Sequence, residues 1–94
     1  MATNQERAAE VFHPSVFIRE EITARGWGFY DFLRAAGALE PAGILSWGLY
    51  LGAGAEHSDM RMGDSGAAEL ARAFGTSKEL WLNMEKAWRE AQHG

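Results

Sequence analysis

The sequence predicts an all-α domain of five short helices. Three observations point that way. Apolar residues recur at three- and four-residue spacing, no stretch alternates usefully with the period of a strand, and Gly or Pro falls between the periodic segments.

The first dozen residues are polar and rich in Ala and Glu, and read as a flexible arm, 1–12, ahead of a single domain spanning 13–94. His13-Pro14 opens the first helix, because proline is tolerated in a first turn whose N–H has no partner anyway. From Ser15 to Arg25, Phe17, Ile18 and Ile22 mark one face while Arg19, Glu20 and Glu21 mark the other. Gly26-Trp27-Gly28 ends that helix. A second runs from about Phe29 to Ala36, with Phe29, Phe32, Leu33 and Ala36 as its apolar stripe. Gly37 supplies a tight turn. Pro41 then starts a third helix carrying Ile44, Leu45, Trp47, Leu49, Tyr50 and Leu51.

A glycine-punctuated loop follows, from Gly52 to Gly63. The fourth helix covers about Asp64 to Phe74, with Asp64 or Ser65 as its N-cap and Ala67, Leu70, Ala71 and Phe74 facing inward. Gly75 suits the left-handed end of that helix. Thr76 with Glu79 three residues on is a capping-box pattern, in which the threonine hydroxyl accepts from the Glu79 N–H. The fifth helix then runs to about Gln92, with Leu80, Trp81, Met84 and Trp88 on one side.

Composition sets further bounds. Ninety-four residues fit one domain with a modest core, and 47% hydrophobic residues argue against disorder throughout. The absence of cysteine excludes disulfides and thiolate metal sites. No apolar run approaches the roughly 20 residues that a membrane-spanning helix needs, and residues 1–10 lack an apolar signal core. A cytoplasmic protein with no membrane association is expected. The net charge of −4 opposes a protein held on DNA mainly by phosphate attraction, and no Lys or Arg occurs from Ala35 to Met60.

Two stretches carry a resemblance. Ala67-Ala68-Glu69-Leu70-Ala71-Arg72-Ala73-Phe74-Gly75-Thr76-Ser77, followed by Glu79-Leu80-Trp81-Leu82-Asn83-Met84, is similar to the C-terminal half of the HigA-type antitoxins. His13-Pro14, Ile18-Arg19-Glu20-Glu21-Ile22 and Arg25-Gly26-Trp27 resemble the opening of the same domain. Those antitoxins are small lambda-repressor-like (Xre) helix-turn-helix proteins, so the resemblance implies a five-helix domain of that kind. It also implies a toxin partner, a homodimer made through the C-terminal region, and operator binding.

The middle departs from the family pattern. The first DNA-contacting helix of the family begins with a polar residue and Gln, and has a small alanine where it crosses the next. Here those positions are Gly28, Phe29 and Leu33, and a leucine there would push the two helices apart. The recognition helix usually carries Arg, Gln, Thr and Asn. Here it reads Glu40-Pro41-Ala42-Gly43-Ile44-Leu45-Ser46-Trp47-Gly48-Leu49-Tyr50. Arg reads guanine and Asn or Gln reads adenine, and none of these is present.

Trp47, Leu49, Tyr50 and Leu51 span more than half of a helix circumference, so they cannot all point inward. Either the third helix is the buried centre of a small bundle, or these four residues form a protein-binding surface in place of a DNA-reading one. The expected function is accordingly a protein-binding module, an antitoxin or phage-type inhibitor that masks a protein partner. The alternative is a dimeric DNA-binding autorepressor whose contacts come from Arg25, Arg34, Ser46 and Arg61. Met84 and Trp88, near the chain end, are the expected dimer contacts. Glu85 and Arg89 read as an ordinary surface pair. His13, His57 and His93 have no ligand spacing, and His57 with Glu56 and Asp59 lacks a nucleophile or oxyanion device, so no metal, cofactor or catalytic residue is expected.

Overall fold

The computed structural model describes residues 11–52 and 60–93, and all of its regular structure is helical. Residues 1–10 of the expected arm, and the Glu56, His57 and Asp59 group, lie outside the described residues. The helices are α1 (Pro14–Ala24), α2 (Phe29–Ala36), α3 (Pro41–Leu51), α4 (Gly63–Phe74) and α5 (Lys78–His93). α4 packs closely on both α5 and α2, and α1 lies against α3 and α5. Among the described residues no helix is long and apolar enough to cross a membrane.

Local chemistry explains where each helix begins. The His13 side chain accepts the Ser15 backbone N–H at 3.1 Å and caps α1. At α2 the Gly28 N–H donates to the Asp31 carboxylate at 2.8 Å, so an acidic side chain sits in the first turn where the helix dipole favours it.

Two starts differ from expectation. Ser77, not Thr76, caps α5, accepting the Leu80 N–H at 3.1 Å. The Thr76 hydroxyl is taken instead by the Trp81 indole N–H at 2.7 Å, because a buried indole needs an acceptor. α4 begins at Gly63 with Met62 as its N-cap and no capping side chain, rather than at Asp64 or Ser65. Tertiary anchoring sets that start: Met62 is buried and its N–H donates to Glu85 at 3.1 Å.

The turn between α2 and α3 is built on Gly37, at φ 74°. Its N–H donates to the Arg34 carbonyl and the Ala38 N–H to the Leu33 carbonyl, which satisfies two carbonyls left over at the end of α2. Ala38 and Leu33 are both fully buried beneath this turn. The backbone then folds so tightly that a Cβ on Gly43 would collide with the Ala38 carbonyl, whose carbon would stand 2.9 Å away. Gly43 thus lets the first turn of α3 sit on the preceding loop.

The core is a relay of rings drawn from α2, α3, α4 and α5 and from His13 and Trp27, which flank α1. Trp27 stacks on Phe74 at 6.0 Å, and Phe74 on Phe32 at 5.8 Å. Phe32 meets Trp47 edge-on at 5.4 Å, and Trp47 meets Tyr50 edge-on at 5.5 Å. Tyr50 lies 5.0 Å from the His13 ring, and His13 stands edge-on to Trp88 at 4.8 Å. Ile18, Leu33, Ala67 and Leu70 fill the space between, each with no exposed surface. Pairs of this kind contribute about 1 kcal/mol each beyond their buried area.

Gly43→Ala tests the tight approach. The added methyl meets main chain, which cannot swing aside, so a loss of about 2 kcal/mol or more is expected, with a fall in Tm on the order of 10 °C by thermal CD.

Candidate interaction surface on the third helix

α3 is apolar on nearly every side, and its phase decides which residues can meet a partner. Gly43, Trp47 and Tyr50 recur at i, i+4 and i+7 and face the core. Trp47 is 3% exposed and Tyr50 2%. Both are therefore structural, which corrects their expected place on a partner surface. A helix wrapped around a core must bury one stripe, and the two largest rings of α3 occupy it. Leu51 is half-buried and packs against the core edge, where its carbonyl accepts the Arg19 guanidinium at 2.9 Å. Of the four expected partner-binding residues, Leu49 alone stands well out, at 60% exposed.

The outward side of α3 is completed by residues that spacing could have identified. Leu45, one turn before Leu49, is 65% exposed, and Ala42, one turn earlier, is also exposed. Placing Gly43, Trp47 and Tyr50 together leaves Ala42, Leu45 and Leu49 opposite, again at i, i+3 and i+7. Pro41, Ser46 and Gly48 are the other exposed residues of the helix. This side carries no charge over three turns, in a chain that is 23% charged.

The four residues of the DNA reading do not converge. Arg25 is ion-paired with Glu21 and lies over the rings of Trp27 and Phe74, 5.4 and 4.9 Å from their centroids. Arg34 pairs with Asp31 at 3.3 Å on the exposed side of α2. Ser46 and Arg61 share a cleft of about 260 Å³ between α3 and α4, but Glu40 and Glu69 line it too. With one arginine against two carboxylates, the lining of that cleft on the α3 side is net negative, and Arg61 also borders a second groove on the α5 side. Glu69 also accepts the Trp47 indole N–H at 2.8 Å, tying α3 to α4.

The expected dimer contacts also turn inward. Trp88 is 9% exposed and covered by His13, and Met84 is partly buried against the core. The chain supplies its own cover for Trp88 from the segment that caps α1.

Of Glu85 and Arg89, expected as a surface pair, Glu85 is buried and Arg89 half-buried, and each turns to other partners. Glu85 is 6% exposed and accepts the Tyr50 hydroxyl at 2.6 Å and the Met62 N–H at 3.1 Å. Arg89 donates to the Met60 carbonyl at 2.6 Å. The available signal was positional: Glu85 falls four residues after Trp81 and three before Trp88, in the middle of the buried stripe of α5. Burial, followed by the hydrogen bond and negative charge of Glu85, pushes the Tyr50 hydroxyl far above the ordinary tyrosine range, against a smaller opposing effect of Arg89.

No family model matches this chain, and neither does any curated protein or solved structure.

Tyr50→Phe is expected to cost about 2 kcal/mol, and Glu85→Leu, which strands two donors, about 3 kcal/mol. In urea titrations the double variant should lose less than the sum, because the two changes remove one shared interaction. The raised Tyr50 value also sets an alkaline limit. The folded value exceeds the unfolded one, so the stabilisation is complete below about pH 10 and declines as pH rises beyond it. In a Tyr30→Phe background, phenolate absorbance should appear only as the helical CD signal disappears. A phenolate step in a still-helical protein would contradict the buried Tyr50–Glu85 bond.

Proposed function

We propose that this chain is a protein-interaction module on a helix-turn-helix frame of the HigA type, masking a protein partner as an antitoxin or phage-type inhibitor does. The outward side of α3 is its docking face. The single observation that carries this reading is the charge-free exterior of that helix, where Leu45 and Leu49 stand 65% and 60% exposed. A helix that reads DNA presents Arg, Lys, Asn or Gln at those positions, and α3 has none. The short α2, the turn at Gly37 and α3 follow one another as the two helices of such a unit do, which agrees with the sequence resemblance at both ends of the chain.

The magnitude of the apolar contribution is informative. Burying a leucine fully is worth about 1.5–3 kcal/mol, so the exposed parts of Leu45 and Leu49 would supply roughly 2–4 kcal/mol together. That is enough for an anchor and too little for a nanomolar complex, which requires about 12 kcal/mol. The partner would therefore extend beyond α3, and the exposed Leu39 and Tyr30 on the adjoining turn and helix are apolar residues available for it.

The test is a binding titration with the protein encoded beside this chain, using two sets of variants. Leu45→Glu with Leu49→Glu should keep the helical CD signal and weaken binding at least tenfold. Trp47→Ala should instead cost about 3–5 kcal/mol of stability. Undiminished binding by the double glutamate variant would remove α3 from the interface. Sequence-specific binding of upstream DNA with a steep salt dependence, in place of a protein partner, would establish the autorepressor reading.

A further inference from the structure

Eight of the nine cationic side chains of the sequence lie among the described residues, and they are not used alike. Arg25, Arg34 and Lys78 are in ion pairs, with Glu21, Asp31 and Asp64. Arg19 is turned onto the Leu51 carbonyl, and Arg72 lies against Gly37. Arg61, Lys86 and Arg89 are in no ion pair among the described residues, and these three line one groove of about 460 Å³. One wall is the start of α4 at Gly63, and the other is the second half of α5. We propose that this groove is a binding site for a phosphate monoester group.

Charge arithmetic selects that ligand class. The carboxylates of Glu85 and Glu90 also line the groove, so three positive and two negative side chains leave a formal excess of one. The α4 amino terminus adds about half a charge, since its first N–H groups have no side-chain cap. Asp64 in that first turn is already engaged by Lys78 at 3.0 Å. A local excess near one and a half matches a phosphate monoester, which carries about −1.5 to −2 at neutral pH, better than a carboxylate at −1. In a chain of net charge −4, this positive excess is local and has no counterpart in the total.

Donor geometry agrees. Arg89 is anchored through one N–H of Nη2 to the Met60 carbonyl, and its Nε is buried, so it is the remaining terminal N–H groups that can serve the groove. A guanidinium has five N–H donors, so Arg89 is held in place but undersupplied with acceptors. Arg61 is exposed on the opposite wall, and two guanidinium forks facing one site suit a three-oxygen anion. Glu85 Oε2 accepts from both Tyr50 and Met62, and Glu85 forms no ion pair with Arg89 among the described residues.

The test is an NMR titration of the full chain at low ionic strength, with phenyl phosphate as probe and benzoate as the carboxylate arm. Phenyl phosphate should saturate one site, with shifts confined to the amides of Gly63–Ser65 and to α5 from Leu82 to Glu90. Arg61→Gln and Lys86→Gln alter exposed side chains, so the fold is kept, and each should weaken binding about tenfold. Arg34→Gln should leave it unchanged. Benzoate binding as tight as phenyl phosphate would overturn the assignment to phosphate. Shifts spread evenly over all the arginines, or indifferent to Arg61→Gln and Lys86→Gln, would show adventitious screening and remove the site. None of these results depends on the α3 face.

Discussion

One buried carboxylate holds the two halves of the structure in register. Glu85 projects from the middle of α5 and receives the hydroxyl of Tyr50 from α3 and the N–H of Met62 just ahead of α4. Three segments distant in sequence are thereby fixed at one pair of oxygens. A buried acid is costly unless its lone pairs are satisfied, and here they are met by one strong short bond and a main-chain donor. The arrangement specifies more than it stabilises: a slip of α5 by one residue would turn Glu85 out of reach and leave Tyr50 and Met62 without acceptors. It also explains why α4 begins where it does, without a capping side chain of its own.

The ring relay and the α3 exterior are two consequences of a single helical phase. With Gly43 forced against the Ala38 carbonyl, α3 cannot rotate, so Trp47 and Tyr50 must enter the core and Leu45 and Leu49 must leave it. The helix can then be apolar on both sides for unrelated reasons. Its inner side completes a stack that runs from Trp27 to Trp88, while Leu45 and Leu49 on its outer side stand mostly exposed. Large apolar side chains exposed on a charge-free helix face are the material of the docking surface proposed above.

Much of the architecture was legible in the chain because the punctuation is local. The ends of α2 and α3 were readable from Gly37, Pro41 and Gly52, and the end of α4 from Gly75. The orientation of α3 was not, since a helix apolar all round gives no amphipathic direction, and the deciding constraint is the approach of Gly43 to the Ala38 carbonyl. Glu85 was misread for a different reason. Four residues from Arg89, it has the spacing of a solvated pair, and its true partner Tyr50 lies 35 positions away. Trp88 reads as a dimer contact from its position alone because its cover, His13, comes from the other end of the domain. Thr76 was assigned a backbone duty that it gives up to the Trp81 indole, a competition visible only once both are placed.

The chain on either side of residues 53–59 is clamped from outside itself. Arg19 of α1 grips the Leu51 carbonyl, and Arg89 of α5 grips the Met60 carbonyl. Two guanidinium hooks thus fasten the end of α3 to α1 and the approach to α4 to α5. Main-chain carbonyls at Leu51 and Met60 are met by side chains from helices remote in sequence, so these two edges of the bundle are secured by tertiary reach where a local cap would otherwise be needed.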